Sequence, residues 1–454
     1  MAVLLLTSGS PDNLLLTSGD NLLLTSAESL SGGVSGVGGS SILIEFSPTT
    51  DPFETPVWVD ITSSVRFLAG VTMTRGRSTE FDDFQAGRCT FTLDNRDRLF
   101  DPTYTAGAYY GNLLPLRRFR VRASFESTTF NLFAGFILGW PQEYADQSDA
   151  DATVPVTLVD GFGVLALATL YDSAAAFTLD SATLGVLGED RLGVSGADAP
   201  VDGYAGDLAQ TLLDAVGYPD VSCDTGLSLV TSDVPTGSVL SKIKQLEKSE
   251  DGFFYIAGDG TATFLDRTSR QTLTRISTSQ ATFDDDGTDA PYGSIAFDYN
   301  ADQIYNDVRR TGTSGQAQTA EDATSIRSYF RRTSEETLIT VDDGVTRDLA
   351  TVFLDRHKDP LVRVGQITVP VGADLATLFP AAVGRELLDR VTVRRTPQDV
   401  GSVYASEQLV EGITHSFDTK QWTTTLQLSP GFITAWFTLD SSTLGVLDED
   451  QLGG

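Results

Sequence analysis

The 454-residue chain carries 62 Asp and Glu against 31 Lys and Arg, a formal charge of −31, with 41% hydrophobic residues. That length exceeds one ordinary core and suggests about three domains at roughly 150 residues each, with the composition of a soluble globular protein rather than a disordered or collagen-like one. So large a carboxylate excess works against gripping nucleic acid, which needs clustered cations to release phosphate counterions, and no apolar run approaches the roughly 20 residues of a membrane-crossing helix.

In chain order, residues 1–41 form a low-complexity arm. DNLLLTSG at 12–19 is followed at once by DNLLLTSA at 20–27. Leucines recurring every eight residues among turn formers suit short strands better than a helical face. Leu14, Leu16, Leu22 and Leu24 are candidate contact residues, because clustered exposed leucines mark association sites. The Gly/Ser run at 29–41 reads as a linker, and its GxGG fragment lacks both a Walker lysine and a strand-to-helix setting. The first residues lack a basic region and a long apolar core, so folding in the cytoplasm is expected.

Residues 42–170 alternate with period two in runs at 57–61, 70–76, 87–95, 119–125, 130–140 and 152–160, each bounded by Gly, Asp, Asn or Pro. Six such runs predict strands of a sandwich or small barrel. Residues 171–200 contain FTLDSATLGVLGEDRLG (177–193), which returns near the end of the chain as FTLDSSTLGVLDEDQLG (437–453), with three differences.

Residues 201–280 turn helical. Leu208, Leu212, Leu213 and Val216 share one helical face ahead of Gly217, and Val239, Leu240, Ile243 and Leu246 share another, with Thr236 or Ser238 as cap and Gly252 as stop. A hairpin follows, turning at Gly258-Asp259-Gly260. Residues 281–430 resume strands at 294–300, 304–310, 328–332 and 361–371, with a helix from about Thr346 to Lys358 and a closing hairpin at 409–430. Residues 431–454 hold the second copy of the duplicated line. The fold class is therefore mainly β with a minor α component, in several domains: barrels or sandwiches with an inserted helix-containing α+β region.

Candidate chemistry is sparse. The two histidines, His357 and His415, stand beside no nucleophile signature; His357 sits at a helix C-terminus, where a cationic ring is favoured. Asp94, Asp97 and Asp101 suggest a calcium loop until Leu99 and Thr105 are found where an EF-hand needs Gly and Glu. Asp284, Asp285 and Asp286 read as an exposed acidic loop. Cys89 and Cys223 make neither a disulfide framework nor a metal knuckle and read as buried apolar residues. No catalytic, cofactor or metal residue is assigned. A glycosidase leaves no spacing to find, but the tryptophans lie in or beside strand-like runs rather than in a cleft pattern.

The serial order of motifs carries a resemblance. The run TRGRSTEFDDFQAGRCTFTLDNRDRLFDP (74–102), then YYGNLLPLRRFRVRA (109–123) and LFAGFILGWPQEY (132–144), resembles the minor tail proteins that build the tail-tip hub of long-tailed bacteriophages. A strand ending in Leu-Asp-Asn, the turn Phe100-Asp101-Pro102, an Arg-rich strand after Pro115, and Phe133, Gly135 and Trp140 follow that family's order. The helix-then-hairpin at 242–267, the Tyr305-Asn306 pair and the closing hairpin agree, so that the likeness spans about residues 46–430.

The resemblance implies tail-tube-like β-barrels in a homotrimeric ring at the virion's tail tip, assembled in the host cytoplasm. Its expected partners are the distal tail protein, the tape-measure protein and tail fibre or spike proteins, without sequence-specific nucleic-acid binding. Its role would be to join the tube to the tip and to line the DNA exit channel, where an acidic wall lets DNA slide past. A host-receptor or carbohydrate-binding tail adhesin is the alternative. The duplicated line lies outside the pattern. Each copy is too small to fold alone and reads either as loop sequence covering unrelated patches or as a segment docking by strand addition. Phe177, Leu179, Leu184 and Leu187, with Phe437, Leu439, Leu444 and Leu447, are its candidate docking residues.

Overall fold

A computed structural model describes residues 40–144, 152–170, 203–231, 237–398 and 401–431, together with the backbone of short strands at 13–15, 21–23, 34–35, 436–437 and 451–452. The first strands are β1 (Ser41–Phe46), β2 (Val71–Gly76), β3 (Gln85–Asp94), β4 (Arg118–Phe125), β5 (Thr128–Ile137) and β6 (Ala152–Val159). Alternation decides their faces: Cys89, Phe91 and Leu93 of β3 point inward while Arg88 and Thr90 point to water. The expected strand at 57–61 shrinks to Val59–Asp60, because Thr62 turns the chain and its hydroxyl accepts from the Ile44 amide at 2.8 Å.

The middle region supplies helices α1 (Ala205–Ala215) and α2 (Val239–Glu250), then a hairpin of β7 (Phe253–Ile256) and β8 (Ala262–Leu265). Ser238 caps α2 as expected, accepting from the Ser241 amide. The stop differs from expectation. Asp251, not Gly252, takes the left-handed conformation, at φ 52°. Gly252 is needed for another reason, since a Cβ there would stand 2.3 Å from the Leu265 carbonyl oxygen.

Strands β9 (Ser279–Asp284) and β10 (Ser294–Asp298) precede a small unit of β11 (Asp307–Thr311), β12 (Ala317–Glu321), α3 (Ala323–Tyr329), β13 (Thr333–Thr337) and α4 (Asp343–His357). The strand expected at 328–332 is instead the end of α3 and its exit loop. Asp322 accepts from the amides of Thr324 and Ser325 and so nucleates a helix where alternation suggested a strand. This unit has its own small core of Val308, Ala350 and Leu354.

The chain closes with β14 (Arg363–Pro370), β15 (Arg390–Arg395), β16 (Tyr404–Phe417) and β17 (Trp422–Pro430). The main sheet runs β9-β15-β16-β2-β3-β6-β5-β4-β1, with β10-β14-β17 joining along the other edge of β16. Strands of the 42–170 and 281–430 stretches thus share one sheet. Among the described residues this pairing closes no ring, so the sheet is open rather than a closed barrel.

Strand β16 is long enough to have two neighbours on one edge: Tyr404 to Leu409 pair with β15, and Gly412 to Phe417 with β2. A bulge between Val410 and Gly412 makes the change. Gly76 sits there at φ 98°, and a Cβ on it would stand 2.2 Å from the Glu411 carbonyl oxygen. Gly76→Ala therefore combines an unfavourable conformation with a backbone clash. It should cost at least about 1–3 kcal/mol in urea unfolding, whereas Gly70→Ala, also at positive φ but in open space, should cost less.

Candidate functional site

The Arg77–Glu411 pair opens onto a cavity of about 440 Å³ between the main sheet, α2 and the small unit. Arg77 Nε donates to Glu411 Oε2 at 2.7 Å, and the Arg77 amide donates to the Glu411 carbonyl at 2.8 Å. Ser429 Oγ holds the other carboxylate oxygen. The guanidinium lies 4.4 Å from the Phe84 ring. Burial alone would weaken the Arg77 charge, but the adjacent Glu411 more than offsets it and raises the pKa.

The remaining charges lining the cavity come from every element around it. Asp251, presented by its left-handed conformation, binds Arg356 of α4 at 2.9 Å and lies 4.0 Å from Arg270. Glu80 contacts Arg363 at the start of β14, and burial lifts its pKa despite that partner. Glu247 of α2 accepts from Lys244 and from the Phe254 amide, both at 2.8 Å. Lys248 reaches Glu336 of β13 at 3.0 Å. Arg310 lies over Phe353 at 4.6 Å, and Arg270 over Phe253 at 4.2 Å, where burial pushes the Arg270 pKa down to about 10. Such pairs orient three parts of the chain against one another; broken, they would leave buried charge behind.

Both histidines are packed. The ring of His357 stands between Phe353 and Phe81, at 4.5 and 4.9 Å. The cationic ring expected at this helix end is instead neutral, because burial, with Arg356 and Arg363 nearby, pushes its pKa down to about 3. His415 is buried on β16, its Nδ1 2.9 Å from Thr424 Oγ1. Both residues are buried, His357 with its ring at the wall of the cavity and His415 within the sheet. Cys89 is buried and Cys223 half-buried.

The acidic turns are engaged by protein groups, and Asp284, expected in an exposed loop, is buried. Asp101 accepts from Arg98 and from the Thr103 amide, while Phe100 beside it lies 6.1 Å from Trp140 in a parallel stack. The Phe100-Asp101-Pro102 turn thus anchors the first core. Asp284 accepts from the Gly287 and Asp289 amides, and Asp285 from Arg395.

Of the candidate contact residues, Leu14 and Leu22 are paired in register across antiparallel strands 13–15 and 21–23. Phe437 pairs in parallel with Leu452. Leu16, Leu24, Phe177, Leu179, Leu184, Leu187, Leu439, Leu444 and Leu447 lie outside the described residues.

Asn306 is a positioning residue whose contacts composition could not show. Fully buried, it donates from Nδ2 to the Phe330 carbonyl at 2.8 Å and to Ser325 Oγ at 3.1 Å, and its Oδ1 accepts from the Arg332 amide at 2.8 Å. It fastens the loop after α3 to the start of β11. The preceding Tyr305 packs on Phe81 and Phe353, at 5.5 and 5.9 Å.

No family model matches the chain, and no curated protein is similar to it in sequence. Its fold is similar to that of a tail protein from Neisseria meningitidis MC58, with a TM-score of 0.52 at 11% identity over 86% of this chain and 96% of that one. The 43 kDa tail protein of prophage MuSo2 from Shewanella oneidensis matches at 0.48 and 10%, over 86% and 98%. A prophage tail protein from Listeria monocytogenes matches at 0.43 and 10%, over 85% and 94%.

The buried histidines generate a pH prediction. Each is neutral when folded but takes up a proton below about pH 6.5 when unfolded, so stability falls as pH drops from about 6.5 towards 3. Asp160, raised to about 7 by burial, works in the opposite direction between about pH 4 and 7. Replacing His415 by Leu removes one proton from the balance. Between pH 7 and 4.5 the wild type should lose about 2–3 kcal/mol more than His415→Leu in urea unfolding. Parallel pH profiles would contradict the assignment.

Proposed function

We propose that this chain is a structural protein of a phage-type tail, and that it forms the tail-tip hub: a homotrimer joining the tube to the distal tail protein, the tape-measure protein and fibres or spike. The observation that carries the reading is the shared fold, which extends over 86% of the chain and nearly all of the Neisseria tail protein. The site's chemistry supports assembly over turnover, because Glu80, Glu247, Asp251 and Glu411 of the cavity are each held by an arginine or a lysine, and His415 is buried within the sheet.

Open edges support it as well. Among the described residues strand β10 pairs only with β14, and most of its residues are exposed. An edge of this kind is a template for another chain. On this reading the net charge of −31 belongs to a channel wall that repels DNA phosphates and keeps friction low.

Native mass measurement of the purified chain tests the proposal. Three copies per particle are expected, with a surface potential that is negative along the axial channel. A stable monomer at micromolar concentration, or saturable binding of host glycans by that monomer, would overturn the hub in favour of the adhesin.

A further inference from the structure

The end of α3 and its exit loop display exposed aromatic and cationic side chains. Residues 323–334, ATSIRSYFRRTS, carry Arg327, Arg331 and Arg332 and no carboxylate, in a chain with twice as many acids as bases. Phe330 is 86% exposed and Tyr329 37% exposed. Phe330 also sits at φ 63° and ψ 164°, a conformation natural to glycine and rare for any larger residue. A glycine there would relieve the backbone. The ring is nonetheless held outward, because Asn306 binds the Phe330 carbonyl and the Arg332 amide on either side of it. Arg331 is tied to Asp307 and Glu321 and Arg332 to Asp302, leaving the exposed Arg327 outside these bridges.

The chain also contains a segment of opposite character. Residues 437–454, FTLDSSTLGVLDEDQLGG, carry four acids and no cation, in the order apolar stretch then Asp448-Glu449-Asp450. The earlier copy, 177–193, carries three acids and Arg191. Two of the three differences between the copies, Gly188 to Asp448 and Arg191 to Gln451, shift the later one from −2 to −4. Both changes favour an arginine-bearing acceptor. The strands at 436–437 and 451–452 pair only with each other among the described residues.

We propose that the face made by Arg327, Tyr329, Phe330 and Arg331 receives the C-terminal segment 437–454 of a neighbouring copy of this chain. Leucines of the segment cover the two rings, and its acidic triplet meets Arg327, the guanidinium outside the unit's own bridges. The five residues between Gly431 and the segment reach up to roughly 17 Å when extended, so the acceptor face of the neighbour must lie close to Gly431. The choice of a neighbouring copy rests on the assembly reading above. Tail-to-face contacts are head-to-tail and close into a ring when the rotation allows.

Cross-linking the full chain tests this. Ser328→Cys and Thr443→Cys place thiols beside the two surfaces without removing the groups that recognise each other, and Cys223→Ser removes the half-buried native thiol. The two chains, each with one introduced thiol in addition to the buried Cys89, are mixed under mild oxidation. A mixed disulfide should form about tenfold faster than with Ser127→Cys as control, from the raised local concentration. It should slow several-fold with Arg327→Glu and recover when the partner carries Asp450→Arg. A rate equal to the control, or a disulfide forming only within single chains of the Ser328→Cys/Thr443→Cys variant, would overturn the proposal. Particle mass reads the tail reading separately: a trimer without the mixed disulfide keeps the hub and discards this contact.

Discussion

At the bulge of β16, three requirements meet within two residues. The backbone of β2 must approach closely enough to pair, which a side chain at Gly76 would forbid. Glu411 must turn inward out of register, and Arg77 must be there to donate to it at 2.7 Å. Because Arg77 and Glu411 are mostly buried, at 11% and 2% exposure, loss of either partner leaves an uncompensated charge, at about 3–5 kcal/mol. This seam lets the strand from residue 412 onward pair with the strand that begins at residue 71.

Once the seam holds, the surrounding charges follow from it. The cavity beside it is polar because the small unit, whose apolar core of Val308, Ala350 and Leu354 is separate from the one the main sheet shares with α1 and α2, must be oriented there. Hydrophobic contact is non-directional, whereas a guanidinium gripping a carboxylate fixes an angle as well as a distance. The same arrangement explains why the cavity looks like an active site in composition but not in chemistry. Its charges face each other, and the His357 ring is stacked between phenylalanines. What faces outward is different: an edge strand, β10, and an aromatic loop that a buried asparagine holds in place.

Periodicity was a sound guide where one face of a strand meets one core. β3, β6 and β17 follow their alternation, and α2 begins at the serine expected of it. The failures have local causes. Residues 328–332 alternate like a strand, yet a single Asp322 cap is enough to start a helix upstream. Gly252 looks like a helix stop, yet its lack of a side chain serves contact with Leu265. The seam was invisible for a more general reason: Gly76, Arg77 and Glu411 are ordinary residues until residues more than three hundred positions apart become neighbours. The same holds for Asn306, which the Tyr-Asn pair singled out by order of motifs without revealing its hydrogen bonds. His357, expected at a helix end, becomes neutral through burial, to which Phe81 and Arg363, distant in sequence, contribute.

Native-state hydrogen exchange tests the claim that the two strand-rich stretches are one structural unit joined at Glu411. The account predicts that amides of β2 and β16 exchange with a common free energy, among the slowest in the chain, and that Glu411→Ala lowers both together. Separate free energies for the two strands, with β16 unaffected when β2 opens, would contradict it.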